Sequence, residues 1–125
     1  MVKRDDGLLP RERDRPTDGQ TEKSIGEFLN ASKEDDEVAI HETYHGVLRF
    51  TLTKIENIAP KKGRLYTVDE GYGGSGWYIR TGRSTRYPTG QSHLVEPTAA
   101  IREFIAKHSD GVAFMYKTAR LYGTD

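Results

Sequence analysis

The sequence predicts an α+β fold, mainly β. The expected form is a small antiparallel sheet or partly open barrel of five to six strands, packed by a C-terminal helix. A short N-terminal helix and a flexible N-terminal arm precede it. Three observations predict this. Apolar and polar residues alternate with period two through Val47–Thr53 and Trp77–Arg80. Glycine and proline bracket the connections, which are short and so favour antiparallel pairing. Helical periodicity is strong only near the C-terminus.

Residues 1–20 carry five basic and five acidic side chains, and Val2, Leu8 and Leu9 are nearly their only large apolar groups. Such a segment buries too little surface to offset its ordering entropy, so 1–20 reads as a flexible charged arm. Residues 21–125 read as a single compact β-rich domain. Thr21 to Ser32 is a short helix, with Ser24 and Glu27 at capping-box spacing and Ile25, Phe28 and Leu29 on one stripe. Gly26 weakens it. Lys33 to Glu37 is an acidic linker.

Val38 to Ile55 reads as a β-hairpin turning at His45-Gly46. That register sets Tyr44 against Val47, Glu42 against Arg49 and His41 against Phe50, with opposite charges paired across the ladder. Leu48, Phe50 and Leu52 face inward. Ala59 to Gly63 is a turn, Arg64 to Asp69 a strand, and Glu70 to Gly76 a mobile glycine-rich loop that leaves Tyr72 free to swing. Trp77 to Thr81 is a strand that places Tyr78 and Arg80 on one face. Gly82 to Gly90 is irregular, and Gln91 to Val95 a short strand. Glu96 to His108 is a helix with Pro97 in its first turn and Ile101, Phe104 and Ile105 as its stripe. Val112 to Leu121 is a last strand.

Cysteine is absent, so neither a disulfide framework nor a thiolate metal site is available. No apolar run approaches the roughly 18 residues that span a bilayer. The chain is expected to be cytoplasmic, without membrane contact. Net charge is zero but uneven: residues 47–95 hold eight Lys/Arg against three Asp/Glu, while residues 1–37 hold seven against eleven. A local basic excess attracts phosphate or acidic partners.

The sharpest string is His41-Glu42-Thr43-Tyr44-His45, a literal H-E-x-x-H. On a helix it binds zinc through both histidines, with the glutamate as general base. Here it runs straight into strand-like residues. On a strand the two histidines sit roughly 13 Å apart, too far for one metal. Tyr44-His45-Gly46 resembles the Tyr-His-Gly opening of the ADP-ribosyltransferases, whose histidine holds the nicotinamide dinucleotide. The resemblance covers three residues, and no position matches the family's catalytic glutamate. Turn residues are the simpler reading. Gly71 to Gly76 matches no phosphate-binding loop.

The remaining candidate is a basic and aromatic group. Its expected partner-binding residues are Lys61, Lys62, Arg64, Tyr72, Tyr78, Arg80, Arg83, Arg86 and Tyr87. The expected function is a non-enzymatic binding module for a macromolecule, a protein first of all. A phage or mobile-element accessory protein, such as an inhibitor of a host system or an assembly component, suits its size and composition. One alternative is a single-stranded nucleic-acid or RNA binder using the Arg/Tyr face. Another is a zinc-dependent hydrolase centred on His41 and His45. The binding reading implies no cofactor and no catalytic residue, and the arm offers a route to a homo-oligomer. His93 and His108 show no partner in the sequence.

Overall fold

The computed structural model describes residues 19–44, 47–108 and 112–114. Helix α1 (Glu22–Asn30) is followed by strands β1 (Glu37–Tyr44) and β2 (Val47–Ala59). A 3-10 turn (Pro60–Lys62) leads to β3 (Arg64–Gly71) and β4 (Gly74–Tyr78). Then come β5 (His93–Val95), helix α2 (Ala99–Lys107) and β6 (Val112–Phe114). The antiparallel sheet runs β4-β3-β2-β1-β5, with β6 also on β2, and curls into a half-barrel.

The β1–β2 register is the expected one, with Tyr44↔Val47, Glu42↔Arg49 and His41↔Phe50. β2 is thirteen residues long and pairs with three strands, β1, β3 and the short β6. Its first part pairs with β1, and its last part, from Ile55, pairs with β3 through a ladder whose register shifts between Ile55 and Asn57. Such a bulge bends a strand and raises its twist, so the sheet rolls here.

The two ends of the rolled sheet are joined by residues 82–85. Trp77 bridges to Ser84 and Arg83 to His93. Tyr78 N–H donates to Arg83 C=O at 2.8 Å, Thr85 N–H to Gly76 C=O at 3.0 Å, and Leu94 N–H to Gly82 C=O at 2.7 Å. The stretch expected to be irregular is therefore the seam of the half-barrel. Glycine and proline hide it from a search for alternation.

The core gathers Ile25 and Leu29 of α1, Val38, Ala39 and Ile40 of β1, Leu48, Phe50 and Ile55 of β2, with Leu65, Trp77, Leu94, Val95 and Ile101. The Trp77 indole N–H is satisfied by Thr67 Oγ1 at 3.1 Å. α2 lies over β2 through Phe104, whose ring meets Phe50 edge-on at 5.1 Å.

Several local expectations are corrected. The capping box of α1 is Thr21 with Ser24, one helical turn earlier than Ser24 with Glu27. Thr98 caps α2, with Pro97 just outside it. Gly26 is a close-packing residue: a Cβ there would lie 2.2 Å from the Arg80 carbonyl oxygen. β4 ends at Tyr78, so Arg80 belongs to a turn and not to a strand face. Gln20 is held by its side chain to both the N–H and the C=O of Glu96, at 3.0 and 2.9 Å. The rest of the expected arm, 1–18, and most of the expected last strand lie outside the described residues.

Candidate functional site

β3 and β4 form a hairpin with Tyr72-Gly73 at its turn. The expected site residues divide between its two ends. Tyr72, Arg86 and Tyr87 gather at the tip. Lys61, Lys62, Arg64, Tyr78 and Arg80 gather at the base, where Arg64 pairs with Tyr78. The ends are roughly 20 Å apart at the usual strand rise. Eight of the nine residues thus form two groups, and Arg83 joins neither.

The tip is built from within. Tyr72 and Tyr87 are about half exposed, and their rings stack with centroids 6.4 Å apart and planes 23° apart. Beneath them, buried Ser84 donates from Oγ to the Gly73 carbonyl at 2.7 Å and accepts the N–H groups of Arg86 and Tyr87, each at 3.1 Å. One hydroxyl thereby ties the β3–β4 turn to the 84–87 loop. Glu42 supplies the second anchor: its Oε2 accepts the Tyr72 N–H at 2.6 Å. Its Oε1 accepts from Arg49 Nη2 at 2.6 Å and from Nε at 3.0 Å. The turn glycines let this happen, since a Cβ on Gly71 would lie 2.8 Å from Glu42 Oε2 and one on Gly73 2.9 Å from Ser84 Oγ. The expected mobile loop is instead a closely packed turn, and Tyr72 is held.

The Glu42 of the H-E-x-x-H string is therefore occupied by Arg49 and by the tip. His41 lies on strand β1, and its ring packs on Phe50 at 5.1 Å. His41 and Glu42 point to opposite faces of the strand, as neighbours in β-structure must. His45 lies outside the described residues, as does the Gly46 of the Tyr-His-Gly triplet. Among the described residues no three His, Asp or Glu side chains are placed to hold one metal ion.

Arg83 is an internal strut. It donates from Nε to Glu22 Oε2 and from Nη1 to the Pro88 carbonyl. His93, without a partner in the sequence, shares the same Glu22 oxygen at 3.0 Å, and its Nδ1 faces the Gln91 carbonyl at 3.1 Å. Burial works against the charge of Glu22, but hydrogen bonds and positive charge from Arg83 and His93 outweigh it. They hold the carboxyl below the usual carboxylate range. This cluster locks α1 to the seam. Its parts lie 61 and 71 residues from Glu22, a separation that no local motif marks.

At the base, Ile79 N–H donates to the Gly63 carbonyl at 2.9 Å, which sets the 60–63 and 79–82 turns side by side. The Arg64 guanidinium lies over the Tyr78 ring, 5.6 Å from its centroid. Lys61, Lys62 and Arg80 are exposed. No helix among the described residues is long and apolar enough to cross a membrane. No protein-family model, curated protein or solved structure matches the chain.

Proposed function

We propose that the chain is a non-enzymatic binding module that engages a protein partner through the tip formed by Tyr72, Arg86 and Tyr87. The observation that supports this is the stacked, half-exposed pair of tyrosines, fixed from below by Ser84 and Glu42. Tyrosine and arginine, with tryptophan, are enriched at interface hot spots. A ring already held in place loses little conformational entropy on binding, so more of its contact energy appears as affinity. Arg86 lays a planar guanidinium over Gly74 of the same turn, suited to a carboxylate on the partner. An accessory protein of the phage or mobile-element kind remains our setting for such a tip, on size and composition alone.

The test compares immobilised wild-type chain with a Tyr72→Ala/Tyr87→Ala variant in native extracts, followed by a titration of the retained protein. Loss of two anchors is expected to weaken binding at least tenfold, with thermal stability nearly unchanged. Equal retention by both chains sinks the reading.

A further inference from the structure

The base of the hairpin carries a second surface, independent of the tip. Along β3, Leu65 and Thr67 are buried, while Arg64 and Tyr66 are partly exposed. Along β4, Trp77 is buried and Tyr78 partly exposed. Since Arg64 pairs with Tyr78 and Tyr66 with Gly76, these three side chains share the outer face of the hairpin. The Tyr66 ring lies across Gly76, where a Cβ would come within 3.1 Å of it. Lys61, Lys62 and Arg80 stand at the end of this face, on the two turns joined through Gly63 and Ile79.

The charges on this face have no counter-ions among the described residues. Arg49, Arg83, Arg102 and Lys107 each pair with a glutamate. Lys61, Lys62, Arg64 and Arg80 pair with no acidic group among the described residues. Arg64 is the most telling of them. Its Nε is buried without a hydrogen-bond acceptor, a costly arrangement for a strong donor. Stacking on Tyr78 fixes the plane of its guanidinium without using its donors.

We propose that this face binds single-stranded nucleic acid. Lys61, Lys62, Arg64 and Arg80 contact phosphates, while Tyr66 and the Arg64–Tyr78 stack receive bases. Aromatic rings beside uncompensated cations on an open β face are the combination that sequence-tolerant strand binders use. An acidic peptide would satisfy the cations but brings no regular series of planar groups for the rings to stack on, as a strand of bases does.

The test is fluorescence anisotropy of a labelled 12-nucleotide oligo-dT with the full chain at 50 and 200 mM NaCl. Four phosphate contacts on a single strand predict a loss of about 50-fold between those salts. Lys61→Ala/Lys62→Ala should reduce that loss to about 7-fold. Tyr66→Leu should weaken binding at both salts without changing the ratio. Arg102→Ala/Lys107→Ala removes the same charge from α2 and should leave the salt ratio at its wild-type value. No binding at 50 mM, an equal change in both double variants, or displacement of oligo-dT by oligo-glutamate at matched charge each overturns the proposal. The last outcome assigns the face to acidic proteins.

Discussion

The buried carboxylate of Glu42 accepts the backbone N–H of Tyr72 at 2.6 Å, although the two residues are 30 positions apart. A side chain in the middle of β1 thus sets the position of an exposed ring at the tip. Arg49, opposite Glu42 in the ladder, neutralises it with two hydrogen bonds to one oxygen.

Glu42→Ala should therefore act twice. It leaves the Tyr72 N–H without its acceptor and Arg49 without its charge partner, at a cost of about 2 kcal/mol, moderated because Arg49 is half in solvent. Urea denaturation measures this. Partner binding at the tip should weaken beyond what the stability change explains. A variant as stable as wild type removes Glu42 from the account.

Gly26→Ala separates helix propensity from packing. Alanine favours an exposed helix by about 1 kcal/mol over glycine. Here the new Cβ would lie 2.2 Å from the Arg80 carbonyl, so α1 must move off the turn. The expected net loss is about 2 kcal/mol, a fall in Tm of about 8 °C. A raised Tm would mean that α1 does not bear on that turn.

The Glu22 cluster predicts an acid limb. The folded-state pKa of Glu22 lies below its ordinary value of 4.5. Its contribution to stability is therefore complete above the unfolded pKa and is lost as pH falls through the lower, folded one. Tm measured from pH 6 to pH 3 should fall more steeply for wild type than for Glu22→Gln. Parallel curves would remove Glu22 as a source of acid sensitivity.

Local patterns made the strands of the meander legible, and one pair fixed a register. Glu42 against Arg49 follows from a turn at 45–46, and alternation in β2 marks Leu48 and Phe50 as inward. What escaped was non-local. Arg83 sits among exposed cations in the sequence, yet its partner is 61 residues away on α1. The glycines of 71–76 look like slack because glycine fits both loose loops and close packing. Only the positions of Glu42 and Ser84 decide between them. Tyr78 and Arg80 keep strand spacing in the sequence, but Gly82, at φ 79°, helps turn the chain back before a strand face continues to Arg80.

The seam also sets an order of assembly. The β1–β4 hairpins join close neighbours in sequence, whereas Glu22 to His93 and Gln20 to Glu96 close loops of 71 and 76 residues. Long closures carry the greater entropic cost and come late. We expect the meander to form first and the 82–87 segment to clasp it last, and hence to open first. Native-state hydrogen exchange tests this: the amide of Leu94, bonded to Gly82, should exchange at lower opening free energy than amides in the β1–β2 ladder. The same late segment carries Arg86 and Tyr87. The proposed partner, gripping the tip, would act as a latch on the half-barrel, and its arrival should be readable as slowed exchange at Leu94.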